Sequence, residues 1–241
     1  MLFLQSATFF LLQITSLFLW GILVVIIIPF LSLDKRYKVT MLWPKLNLKL
    51  AERLIGIKFE LNGSHILDRN LNSNVILCCN HQSTWETFFI ASYLKKPVCF
   101  IFKRELLLIP FFGWGIFLLN MIHINRKAGR NAIQSIINEA PRQFALGRWL
   151  VFFPEGTRVR LSEKKRYKIG AAVIATELNV PIIPIAHNAG QFWQKNSFLK
   201  KPGKIIVKIG NEIHPNGKNP NQVISIVREQ IEKLKDEIDR F

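Results

Sequence analysis

Met1–Leu33 contains no charged side chain, and residues 9–31 are dominated by Phe, Leu, Ile and Val. About 20 apolar helical residues cross the hydrocarbon core of a bilayer, so this segment is long enough to span it or to enter it at an angle. A cleaved leader needs basic residues ahead of the apolar run and a small-residue cleavage site, and neither is present. A retained membrane segment is the expectation.

The flank that follows, Asp34, Lys35, Arg36 and Lys38, is net positive, which places the rest of the chain on the cytosolic side. Lys and Arg number 33 against 16 Asp and Glu, a net charge of +17 carried wholly by residues 34–241. Such a surplus suits nucleic acid or an anionic membrane surface. With an apolar anchor attached, the membrane surface is the expected partner. Zinc-finger spacing, an RNP-like aromatic motif and a basic region running into heptads are all missing, so nucleic acid is not expected. Cys78, Cys79 and Cys99 sit in apolar runs without C-x-x-C spacing. That predicts core packing in a reducing compartment and no metal site.

The chain divides into an N-terminal membrane-embedded, amphipathic helical segment over residues 1–55 and a globular domain over 56–241. Leu42, Leu46, Leu50 and Leu54, four apart among basic residues, predict a helix lying on the membrane or packed on the core. Apolar runs at 57–61, 75–79, 98–102, 121–125, 150–153, 182–186 and 204–209 read as strands. Helical patterns fall near 84–94, 127–140, 168–179 and 219–238. Strands alternating with helices predict an α/β fold with a largely parallel, mixed sheet flanked by helices. Residues 188–203 read as a loop. Pro110, Gly113 and Gly115 break the apolar stretch 106–122, which therefore reads as folded or membrane-dipping. Pro181 and Pro184 mark their strand as a sheet edge or terminus.

Four stretches could carry chemistry. In "NHQSTWE", His81 lies where a strand gives way to a helix, at the end of a parallel sheet where ligands bind. Imidazole titrates near neutrality and suits a base, and Glu86 in the first helical turn could fix its tautomer. Ser83-Thr84-Trp85-Glu86 is equally a capping box, in which Glu86 serves only the helix start. In "FFPEGTR", Gly156 lets backbone approach an anion, Thr157 offers a hydroxyl and Arg158 can grip phosphate; a plain turn with a solvated Arg is the alternative. In "FKRELLLIPFFGWG", Lys103 and Arg104 follow a strand as a possible second arm of an anion site, with an apolar continuation for an acyl chain. The fourth stretch is "VPIIPIAHNAG".

Taken in this order, the four blocks resemble the motifs of the glycerolipid acyltransferase family, closest to the bacterial 1-acylglycerol-3-phosphate acyltransferases. The resemblance covers roughly residues 75–190. It implies that His81 is the base for the sn-2 hydroxyl of lysophosphatidic acid, and that Glu86 stands where aspartate is commoner. It further implies that Lys103, Arg104, Glu155, Gly156, Thr157 and Arg158 hold the glycerol phosphate. The acyl donor would be acyl-CoA or acyl-carrier protein, with no cofactor and no metal. The implied location is the cytoplasmic face of a bacterial inner membrane. Oxyanion donors are expected among the backbone N–H groups at 83–86. Neither a G-x-S-x-G elbow nor a nucleophilic cysteine context is present, so direct transfer is expected. The rivals are a sister enzyme acting on another lysolipid, such as a lyso-ornithine lipid, and a non-catalytic binder of anionic membranes using Lys164, Lys165, Arg166 and Lys168.

Overall fold

The computed structural model describes residues 1–125 and 128–240. The chain opens with a helical hairpin. Helix α1 (Leu2–Ile27) runs through a 3-10 turn (Ile28–Phe30) into α2 (Leu33–Ile55), which ends at Gly56 in the left-handed conformation that glycine adopts without strain. The strands and helices then alternate: β1 (Ile57–Asn62), α3 (Ser64–Arg69), β2 (Ile76–Cys79), α4 (Trp85–Tyr93), β3 (Val98–Phe100) and β4 (Phe102–Lys103). A 3-10 turn at Arg104–Leu108 leads to α5 (Phe112–Leu118) and β5 (His123–Ile124). The last part is α6 (Arg130–Ala145), β6 (Trp149–Phe152), α7 (Gly170–Leu178), β7 (Ile182–His187), the single-turn α8 (Ala189–Phe192), β8 (Gly203–Ile209) and α9 (Pro220–Asp239). The expected start of the sixth helix at residue 127 lies outside the described residues.

Six strands form one sheet in the order β1-β8-β7-β2-β6-β3, and β4 pairs with β5 in a separate two-stranded ribbon. Within the large sheet only β7 and β8 are antiparallel; the other neighbours run parallel. The α/β expectation therefore holds. The central strands are buried along their whole length, as parallel strands covered by helices on both faces must be. Cys78, Cys79 and Cys99 are part of that buried core as free thiols.

One expectation fails. The Pro181–Pro184 strand is central, between β2 and β8. The main-chain hydrogen bonds explain how proline is tolerated there. Pro184 O accepts from Gly210 N at 2.8 Å and Ile182 N donates to Ile213 O at 3.0 Å, so even-numbered positions of β7 point toward β8 and its continuation. The β7–β8 ladder covers only Ile185–His187. Proline's missing N–H thus falls where β8 has already stopped pairing, and the bonds to β2 are untouched.

The hairpin packs against this domain over its length. Ser6 Oγ accepts from Lys200 N at 3.1 Å, and Gly21 lies so close to Phe111 that a Cβ there would meet its Cβ at 2.7 Å; within the hairpin, Trp43 Nε1 of α2 donates to Ser16 Oγ of α1 at 3.1 Å. The opposite side of α1 is bare, with Leu4, Leu11, Leu19 and Ile26 exposed, and Leu108, Phe112, Trp114 and Phe117 extend the apolar surface beside it. On α2 the buried face is Trp43, Asn47, Leu48, Ala51 and Ile55, whereas Leu42 and Leu46 of the leucine stripe face outward.

Candidate active site

The carboxyl ends of β2, β3 and β6 deliver three of the four sequence blocks to one place, the crevice where open parallel sheets bind ligands. β2 ends at Cys79, and Asn80–Thr84 carry the chain into α4. Across this turn His81 Nδ1 meets Glu86 Oε1 at 2.7 Å, and the same oxygen accepts Ser83 N at 2.9 Å and Gln82 N at 3.1 Å. Ser83 Oγ in turn accepts Trp85 N at 3.1 Å. One oxygen of Glu86 thus meets the imidazole and gathers the N–H groups of the turn before α4, whose N-cap, Thr84, makes no side-chain cap hydrogen bond. The extra methylene relative to aspartate does not prevent contact.

Glu86 is buried, and burial alone pushes its carboxyl upward; the His81 imidazole and the hydrogen bonds from His81 and Ser83 N–H oppose that, and the carboxyl lies below the usual range. A carboxylate on Nδ1 leaves Nε2 of His81 as the nitrogen available to a substrate. The ring is stacked on Phe153, with centroids 3.9 Å apart and planes 16° from parallel. Both the azimuth and the plane of the imidazole are thereby fixed.

Behind this pair stands His187, at the end of β7. Its Nδ1 accepts Ala189 N at 3.1 Å and its Nε2 lies 2.8 Å from Asn80 O. Only the neutral tautomer with the proton on Nε2 satisfies both contacts. Burial also lowers its pKa. Asn80 closes the arrangement by exchanging two 3.0 Å hydrogen bonds with the His187 main chain. His187 Nε2 is 3.9 Å from Glu86 Oε2. Nothing in the fourth block singles out His187, although it ends β7 much as His81 follows β2.

The segment after β6 forms the second wall. Gly156 has φ +72°, and a Cβ there would lie 2.8 Å from Lys168 Cε. Gly156, Thr157 and Arg158 line the crevice, while Glu155 does not. Glu155 is buried beneath it, accepts His81 N at 3.3 Å, and has its pKa pushed up to about 7 by burial. Lys103 lines the crevice too; Arg104 is exposed and points elsewhere. Lys195, on the β7–β8 loop, joins the lining and donates to Arg158 O at 2.6 Å. Its stretch had read as plain loop.

These groups open into a cavity of about 420 Å³. Its far wall is apolar: Leu17 and Val24 of α1, Met41 and Trp43 of α2, and Phe112 and Ile116 of α5. A polar end with cations and an imidazole thus continues into a channel suited to a hydrocarbon chain. No carboxylate lines it among the described residues.

Known proteins resemble this chain in sequence and in fold. The family model described as Acyltransferase matches residues 58–188. A 1-acyl-sn-glycerol-3-phosphate acyltransferase of Pseudomonas aeruginosa is 35% identical over 92% of this chain and 85% of its own. The mouse 1-acyl-sn-glycerol-3-phosphate acyltransferase alpha is 29% identical over 83% of this chain and 70% of its own. In fold, the chain resembles the crystal structure of the 1-acyl-sn-glycerophosphate (LPA) acyltransferase from Thermotoga maritima, with a TM-score of 0.74 at 24% identity, covering 96% of this chain and 95% of that one.

Proposed function

The chain belongs to the acyltransferase family, and on that premise we propose that it moves a fatty acyl group from acyl-CoA or acyl-carrier protein to the sn-2 hydroxyl of lysophosphatidic acid, giving phosphatidic acid. The observation that carries this reading is the single cavity joining the His81–Glu86 pair, the Lys103 and Arg158 cations and an apolar channel.

His81 Nε2 takes the hydroxyl proton, and the oxygen attacks the thioester carbonyl. The carbon–sulfur bond then breaks, and the departing sulfur recovers the proton from His81. Glu86 stabilises the imidazolium that exists between these two transfers. Of the oxyanion donors expected at 83–86, the Ser83 and Trp85 N–H groups are already used by Glu86 Oε1 and Ser83 Oγ. The Thr157 hydroxyl, on the crevice wall, is the donor we assign instead. Lys103 and Arg158 bind the acceptor's phosphate, Arg158 being able to do so through two parallel N–H groups. Glu155 acts from beneath, holding the His81 main chain.

The acyl chain lies in the channel between α1, α2 and α5, so the protein works embedded in lipid. Contacts at Ser6, Phe9 and Gly21 keep α1 against the domain along its length. A helix held in this way exposes only one side to lipid, which supports entry into one leaflet over a full crossing. Lys35, Arg36 and Lys38 after the apolar segment support the cytoplasmic face.

The test is transfer of a labelled acyl group to lysophosphatidic acid by purified wild type and His81→Ala. Product from the wild type and near-complete loss in the variant are expected. A wild type inactive on this acceptor with either donor, but active on a lyso-ornithine lipid, would reassign the acceptor.

A further inference from the structure

Three cations line the crevice: Lys103, Arg158 and Lys195. Their surroundings differ. Lys103 Nζ has the Glu105 carboxylate 3.6 Å away and is largely exposed. Among the described residues, neither Arg158 nor Lys195 has a carboxylate within 4.0 Å, and Arg158 Nε is buried without a hydrogen-bond partner. Lys195 Nζ spends one N–H on Arg158 O at 2.6 Å. An ammonium has three, so two remain to be directed into the crevice. Both cations line the same crevice and neither is paired with a carboxylate there, so an anion entering it would supply the missing counter-charge.

The Lys195 side chain is also held in advance. Trp193 is buried against Phe9 of α1, with ring centroids 5.1 Å apart. Ser197 N donates to Gln194 O at 3.2 Å, closing a turn around Lys195 in which Asn196 takes φ +56°. Lys200 N is bonded to Ser6 Oγ at 3.1 Å. The loop that carries the lysine is thus fastened to the lipid-facing helix on one side and to the Arg158 main chain on the other.

We propose that Lys195 is a third ligand of the acceptor's phosphate, closing the headgroup site opposite Lys103 and fixing its position relative to the membrane helix. This rests on the acyltransferase reading above, in which the acceptor is a glycerophosphate lipid. The loop lies outside the four sequence blocks, so nothing in them identifies the residue.

The experiment compares detergent-solubilised full-length wild type, Lys195→Gln, Lys195→Arg and Lys201→Gln. Lys195→Gln keeps an N–H for Arg158 O and removes the charge. Lys201→Gln removes an exposed charge of the same loop that does not line the crevice. Binding of sn-glycerol 3-phosphate by calorimetry is read first, then KM for lysophosphatidic acid and for the thioester. Lys195→Gln is expected to weaken headgroup binding and raise the acceptor KM by roughly tenfold to a hundredfold, with the thioester KM unchanged. Lys195→Arg should recover most of this, and Lys201→Gln should behave as wild type. Equal headgroup binding by wild type and Lys195→Gln would overturn the proposal, as would equal losses in Lys195→Gln and Lys201→Gln. A wild type that binds the headgroup through Lys195 but transfers no acyl group would leave the phosphate site standing and overturn the acyltransferase reading.

Discussion

Glu86→Gln tests the pairing at the centre of the site, because it keeps the shape of the side chain and removes its charge. An amide oxygen in the place of Oε1 can still accept from His81 Nδ1, Gln82 N and Ser83 N. The amide NH2 then takes the place of Oε2, a buried position that has no hydrogen-bond partner in the wild type. The nearest candidate there is His187 Nε2, which already faces Asn80 O as a donor. One buried donor without an acceptor costs about 1–3 kcal/mol of stability. The opposite flip would set the NH2 against three donors and is worse. The catalytic effect is larger. When His81 takes a proton, an imidazolium and a carboxylate centred roughly 4 Å apart attract by about 4 kcal/mol at an effective dielectric near 20. Losing that attraction slows the step by about a thousandfold. The assay is kcat for transfer to lysophosphatidic acid, alongside circular dichroism and thermal melting. A folded variant with kcat lowered by about 10³, and both KM values little changed, is expected. Glu86→Asp should fall between, since it restores the charge but withdraws it by one methylene. A well-folded Glu86→Gln enzyme within about threefold of wild-type kcat would refute the reasoning and reduce Glu86 to a helix cap.

Three further outcomes are open to measurement. Glu155 is held protonated up to about 7 in the folded protein by burial, while its unfolded carboxyl ionises near 4.5. Between those values the unfolded state releases the proton first, so stability falls as pH rises from about 4.5 to 7 by on the order of 3 kcal/mol and then levels off. Glu155→Gln should lack that decline in chemical denaturation run at pH 5 and pH 8; parallel pH profiles for the two proteins would contradict it. Arg158→Lys keeps the charge but not the paired N–H groups, and should raise the acceptor KM by roughly tenfold or more with little change in thioester KM. Gly156→Ala places a Cβ at φ +72° against the mobile end of Lys168, so about 1–2 kcal/mol of destabilisation is expected from left-handed strain; an unchanged unfolding midpoint would count against the turn.

Much of this was legible because the relevant signals are local. Buried parallel strands such as Ile76–Cys79 must be continuous apolar runs, and His81 and Gly156 stand directly where such runs end. What was not legible depends on partners distant in the chain. Pro184 reads as an edge marker until the end of the β8 ladder shows where its absent N–H falls. His187 and Lys195 have no neighbours in sequence that betray them, and their contacts with Asn80 and Arg158 cross 107 and 37 residues. On α2, regular leucine spacing suggested an apolar face, but Trp43, Leu48 and Ala51 hold the core side. With lipid as a second solvent, two faces of one helix can both be apolar, and periodicity cannot tell which meets protein.

The same coupling joins the N-terminal apolar hairpin to the candidate site. Glu86 meets His81 Nδ1 from the first turn of α4, so the position of the imidazole depends on that helix. α4 is held by α2: Tyr37 Oη donates to Ala91 O at 2.9 Å, and Trp43 meets Phe88 edge-on at 5.3 Å. α2 is held by α1 through Trp43 and Ser16, and α1 fastens the Lys195 loop through Ser6 and Phe9. The α1–α2 hairpin therefore supplies the apolar wall of the cavity, steadies the helix that carries Glu86 and anchors the loop that carries Lys195. A membrane anchor that served only as a tether could be exchanged for any other apolar helix. The α1–α2 hairpin shares its buried face with the candidate site, so a substitute matched for hydrophobicity alone is expected to leave the cavity unrestored.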